Sequence, residues 1–277
     1  MSQRDLIPKI VTGLPGGKVK PRADFKPHEF DQLLTTKSYR MWWSRAAICP
    51  CQNNDQTEQA DPNCALCRGR GYFYYMPDLA VKDGAVVDAY GNAVEVNADN
   101  SAVGILAIKS SLTADVQVFE KFGEWVFGTT RATVQWQNRL GYRDRLVERD
   151  SVMLWNQVIN CDGGPLIKIM GALSKAGLRY PCVELIYFRS LTQEYRDGRD
   201  VAITADGELE WLADGAGPPA AGSRLSLACL IHPVWIVMEH VHSIRDTLVA
   251  FKTTSKADEF QRLPVQAMLK LDFLVEP

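Results

Sequence analysis

Leu225-Ser226-Leu227-Ala228-Cys229-Leu230-Ile231-His232-Pro233-Val234-Trp235-Ile236-Val237-Met238 carries the reading of the fold. Leu225, Leu227, Cys229 and Ile231 fall on one face of an extended chain, the two-residue period of a strand. Pro233 breaks the run, and residues 234–238 resume it. Working outward, residues 103–108, 132–137, 152–159, 182–188 and 201–204 are β-rich and bounded by turn residues. Asp206-Gly207 ahead of Glu208-Leu209-Glu210-Trp211 is a hairpin signal. A last strand is expected over 265–274. Residues 213–222 are a loop on composition, and residues 78–100, with Asp83-Gly84 and Tyr90-Gly91-Asn92, form a hairpin or surface insertion. Helical periodicity of useful length is confined to residues 27–34, where proline suits the first turn and Phe30, Leu33 and Leu34 share a face. The expected class is mainly β: a β-sandwich or Greek-key barrel with an N-terminal extended arm and a four-cysteine metal knuckle.

The knuckle is read from Cys49-Pro50-Cys51 followed by Cys64-Ala65-Leu66-Cys67-Arg68-Gly69-Arg70-Gly71. Two close pairs joined by a short loop can bring four thiolates onto one tetrahedral ion. Chain wrapping a metal-bound sulfur often needs positive φ, which Gly69 and Gly71 supply. Cys49, Cys51, Cys64 and Cys67 are therefore the expected metal ligands, for zinc or, with the same donors, an iron–sulfur cluster. Two disulfides or free buried thiols would use the same residues. Aromatic runs flank the cysteines: Tyr39-Arg40-Met41-Trp42-Trp43 leads in, and Tyr72-Phe73-Tyr74-Tyr75 leads out. Extended chain on both sides would make the metal a staple for a hairpin-like excursion. The organisation expected is a basic arm with a short helix (1–38), the knuckle excursion (39–77) and a β-rich main domain (78–277).

Net charge is −2 over 277 residues, which argues against a dedicated nucleic-acid binder. The charge is uneven: through Arg45 there are nine basic residues against four acidic ones. Such an arm can dock on an acidic partner or stay solvated. No stretch approaches a transmembrane span, and Met1-Ser2-Gln3-Arg4-Asp5 does not lead into a signal-peptide core. Cys161, Cys182 and Cys229 stand among apolar neighbours as reduced core thiols.

Catalytic signatures are largely absent. Gly13-Leu14-Pro15-Gly16-Gly17-Lys18 is one residue short of a phosphate loop, and Val19 replaces the magnesium-binding hydroxyl. Residues 171–177 lack nucleophile-elbow spacing. His240 and His242 would share a strand face, but no carboxylate or nucleophile stands at a suggestive distance. Arg143, Asp144, Arg145 and Asp150 read as a solvated or salt-bridged turn. Seven tryptophans without a catalytic framework favour packing and protein–protein contact.

Several segments together resemble structural proteins of contractile-tailed bacteriophages. The cysteine knuckle through Tyr72 is the specific one. Phe122-Gly123-Glu124-Trp125-Val126-Phe127-Gly128 ahead of the Arg145 turn is similar, as are Gly222-Ser223-Arg224-Leu225, His232-Pro233-Val234-Trp235-Ile236-Val237 and His242-Ser243-Ile244-Arg245-Asp246. Arg262-Leu263-Pro264 before an apolar strand continues the likeness. The resemblance implies a non-enzymatic virion protein, assembled in the host cytoplasm, forming a neck (head–tail connector or collar) ring, hexameric or dodecameric. Its implied partners are portal or connector and tail terminator or tube proteins, with non-specific contact to packaged DNA and no membrane. A baseplate or tail-hub component is the alternative. A tail-associated hydrolase using His240 or His242, and a zinc-dependent DNA-binding protein using Lys18, Lys20 and Arg22, are the further readings.

Overall fold

The computed structural model describes residues 27–52, 60–61, 64–67, 69–82, 84–87, 93–111, 128–169, 177–242, 246–249, 259–262 and 264–275. The arm before residue 27, the phosphate-loop-like run, residues 122–127 and residues 171–176 lie outside them. The protein is mainly β, with 48% strand and 6% helix.

Helix α1 (Pro27–Lys37) precedes β1 (Tyr39–Ile48), β2 (Tyr72–Tyr75), β3 (Ala80–Lys82), β4 (Ala85–Val87), β5 (Val103–Ser111), β6 (Thr129–Val134) and β7 (Arg145–Glu148). Then come β8 (Met153–Asn160), β9 (Leu166–Ile167), β10 (Glu184–Arg189), β11 (Glu194–Tyr195), β12 (Val201–Ile203), β13 (Leu209–Trp211) and β14 (Arg224–Ile231). The chain continues with β15 (Val234–His242), β16 (Asp246–Val249), β17 (Glu259–Arg262), β18 (Val265–Leu271) and α2 (Asp272–Val275).

Six strands close an antiparallel barrel in the order β1-β5-β6-β18-β15-β7, with β7 returning to pair with β1. The neighbours β7-β1-β5-β6 are the fourth, first, second and third barrel strands of the chain, which is Greek-key order. Alternation dictates the interior: Met41 and Trp43 from β1, Val103, Ile105 and Ala107 from β5, Ala132 and Val134 from β6, and Val265, Ala267 and Leu269 from β18. Three alanines mixed with Trp43 and Met41 give the small and large residues that a narrow barrel needs.

Between β7 and β15 the chain builds a second core. A four-stranded sheet, β11-β10-β14-β8, and a three-stranded sheet, β12-β13-β9, contribute Phe188, Leu225, Leu227, Leu209 and Trp211 to it. Phe188, Tyr195 and Trp211 form a ring cluster with centroids 4.8 to 5.6 Å apart. The run of residues 225–238 thus divides at Pro233: β14 serves the second core and β15 the barrel.

Three local expectations change. Residues 145–148, read as part of a charged turn, are the strand that closes the barrel, because Leu146 fills its interior and Glu148 finds buried partners. The last strand stops at Leu271, where the chain turns into α2 and Asp272 becomes buried against Tyr180, whose hydroxyl donates to it at 2.7 Å. In α1 Leu34 is fully buried, while Leu33 stays exposed.

Candidate metal centre

Strand β1 does two jobs along its length. Residues 39–43 pair with β5 and residues 41–44 with β7 as a barrel stave, whereas residues 45–48 pair with β2. The β1–β2 ladder runs out to Ile48 opposite Tyr72, and the amide of Cys49 donates to the Gly71 carbonyl at 2.8 Å to close it. The four cysteines occupy the tip of this hairpin. Each pair is followed by a tight turn: Gln52 N–H donates to Cys49 O at 3.0 Å, and Arg70 N–H to Cys67 O at 3.1 Å.

Cys49, Cys51, Cys64 and Cys67 come together, as the spacing predicts. Their Sγ atoms all lie within 4.8 Å of one another, at 3.6 Å for Cys49–Cys64 and 3.4 Å for Cys51–Cys67. Those separations exceed a disulfide bond, and all seven cysteines of the chain are free. Cys49 and Cys67 are buried, and Cys51 and Cys64 half-buried. Gly69 and Gly71 adopt φ of 83° and 79°. A Cβ on Gly71 would meet only the movable end of the Gln52 side chain, at 2.5 Å from Nε2, so it is the positive φ that reserves the position for glycine.

Backbone amides point at the sulfurs. The N–H groups of Cys67 and Leu66 draw the Cys64 thiol down to about 7, so it is about half thiolate at neutral pH. Desolvation and the neighbouring Cys67 sulfur push Cys51 up to about 12. Four thiols this close cannot all ionise by themselves, and a bound cation is what removes the conflict. The cluster is therefore suited to hold a metal ion.

Around the hairpin's base stand Arg143, Asp144 and Arg145, from the stretch expected as a solvated or salt-bridged turn; its Asp150 is salt-bridged to Arg40. Asp144 is buried and accepts from Trp43 Nε1–H at 2.8 Å, the Ala46 amide at 3.0 Å and the Gly141 amide at 2.6 Å. Burial pushes its carboxyl pKa up while these donors oppose the shift. The Arg143 guanidinium lies 5.4 Å from the ring centroids of both Tyr72 and Tyr142, and that of Arg145 lies 5.6 Å from Tyr74. Nothing in the local sequence signals these contacts, because Tyr142 to Arg145 lie far along the chain from Tyr72 and Tyr74. Elsewhere, His232 Nδ1 is 3.0 Å from the Ser151 carbonyl. On β15 the backbone of His240 pairs with Ala267 and that of His242 with Gln266, with a register shift between them. A cavity of about 450 Å³ beside the barrel is lined by Arg40 and Arg149, but both are paired, with Asp150 and Glu95.

Barrel and cluster define the class: a closed antiparallel β-barrel protein with a second β core and a four-thiol site on a projecting hairpin. No protein-family model matches the chain, and no curated protein matches it either. No helix among the described residues is long and apolar enough to cross a membrane.

Proposed function

We propose that this chain is a structural subunit of a tailed-phage virion, assembled into an oligomeric neck ring, with zinc stapling its hairpin. The observation that carries the subunit role is the presence of two unlike apolar surfaces on one chain. Leu154, Val158 and Ile186 stand exposed on the four-stranded sheet, and Ile48 and Leu66 stand exposed on the knuckle hairpin. Unlike surfaces that meet head to tail generate rings when the rotation closes. A four-thiolate site leaves no coordination position for substrate, which favours a structural task for the metal.

Sulfur spacing favours zinc over an iron–sulfur cluster. A tetrahedral ion with metal–sulfur bonds of about 2.3 Å needs sulfurs about 3.8 Å apart. Separations of 3.4 and 3.6 Å, with none above 4.8 Å, suit that single ion. A cluster of several irons between the same ligands would need them spread much wider.

Mass photometry of the metal-loaded protein, alone and mixed with portal and tail-terminator proteins, tests the assembly. The expected result is a species of six or twelve 31.0 kDa subunits, alone or with those partners. A particle that stays at one subunit in every mixture would reject the ring.

A further inference from the structure

We infer that the face of the knuckle hairpin bearing Arg143 and Arg145 binds the phosphate backbone of double-stranded DNA. It rests on the reading of a virion subunit that surrounds packaged DNA and moves that contact from the basic arm to this face, and it is independent of the identity of the metal. Tyr72 and Tyr74 lie two residues apart on β2 and so project on the same side of the hairpin. Arg143 stands against Tyr72 and Arg145 against Tyr74. The two-residue strand repeat spaces Tyr72 and Tyr74 about 7 Å apart along β2, each with one cation against its ring. That is of the same order as the spacing of neighbouring phosphates along a nucleic-acid strand.

Among the described residues no carboxylate forms a salt bridge with Arg143 or Arg145, whereas Arg40, Arg149, Arg179 and Arg199 each have one. The Nε atoms of Arg143 and Arg145 are buried without an acceptor. Asp144, between them in sequence, turns inward and spends its oxygens on Trp43, Ala46 and Gly141. Arg143 also holds φ at 69°, a left-handed backbone that L residues avoid, with its amide bonded to Val237 O at 2.8 Å. Ring quadrupoles orient a guanidinium but leave its charge whole.

The geometry favours duplex over single strand. Non-specific single-strand sites present open aromatic faces on which bases stack. Here Tyr72, Tyr74 and Tyr142 already carry guanidinium groups on their rings, so the surface offers charge and donors more than stacking. Contact through phosphates alone is sequence-independent and salt-dependent.

Fluorescence anisotropy of full-length, metal-loaded protein with a labelled short duplex tests this over about 50 to 200 mM salt. Wild type should bind with affinity falling steeply as salt rises. In the Arg143→Gln/Arg145→Gln variant the slope of log K against log salt should flatten by about 1.8, two contacts at about 0.9 each. Arg224→Gln on β14 should leave the slope unchanged. Should the glutamine pair misfold, the single variants Arg143→Gln and Arg145→Gln decide, each expected to flatten the slope by about 0.9, while Arg143→Lys/Arg145→Lys should keep it. Absence of duplex binding by wild type, an unchanged slope in the glutamine pair or a lost slope in the lysine pair would overturn the assignment. So would competition by poly-glutamate or single-stranded DNA at least as strong as by duplex, which would identify a different ligand class.

Discussion

The indole N–H of Trp43 donates to the buried carboxylate of Asp144 at 2.8 Å, joining residues 101 positions apart. Trp43 lies in the barrel core, and Asp144 immediately precedes the closing strand β7. The same carboxylate holds the amide of Ala46, where β1 leaves the barrel to become the hairpin. One side chain thus ties barrel closure to hairpin exit.

Replacing Asp144 with Asn should destabilise the protein by about 1–3 kcal/mol, because an amide cannot accept from all three donors and leaves a buried N–H unpaired. Urea denaturation measures the loss. Equal midpoints for the two proteins would contradict the role given to Asp144.

Lys109 and the fully buried Glu148 form an ion pair at 2.5 Å, with Ser151 and Trp235 also donating to Glu148. Lys109→Met removes the only formal positive charge bonded to that carboxylate among the described residues. The expected cost is about 3 kcal/mol, the range for leaving a buried charge uncompensated. Adding Glu148→Leu should recover part of it, which a double-mutant cycle would detect.

Elemental analysis of protein purified without chelator should find about one zinc per chain, and X-ray absorption a single sulfur shell near 2.3 Å. Stripping the metal, or Cys64→Ser, should raise amide exchange in the described residues of the hairpin, 45–52 and 69–75, while the barrel stays protected. Bound iron with labile sulfide would reject the zinc assignment.

Asp200 offers a test by pH. The guanidinium of Arg199, then the amides of Arg196 and Ala216, hold its carboxyl at about 2, below the unfolded value of about 3.9. Between those values the unfolded chain binds the extra proton. The stabilisation from Asp200 is therefore fully present above about pH 4 and is lost as pH falls towards 2. The stability gap between wild type and Asp200→Asn should hold steady above pH 4 and narrow below it. A gap that widens in acid would contradict the pairing.

Legibility followed sequence distance. The four cysteines lie within nineteen residues, and spacing with two glycines sufficed to read them. β14 was legible because it alternates within its own span, and β15 because a continuous apolar run, buried from Val234 to Val237, resumes after Pro233. β7 was not: only four residues long, it carries Arg145 and Glu148, and its strand character comes from partners on β1 and β15. The burial of Glu148 depends on a lysine 39 residues away.

The amino-acid sequence by itself determined the β class, the break at Pro233, the four-cysteine cluster at the hairpin tip and the turn glycines, since these rest on local periodicity and backbone preference. Only the tertiary structure decided that β14 and β15 serve different cores, that β7 closes the barrel on β1, and that Arg143 and Arg145 line up on Tyr72 and Tyr74. Those outcomes depend on pairing between strands distant in the chain, where alternation states which face is apolar but not which neighbour will cover it.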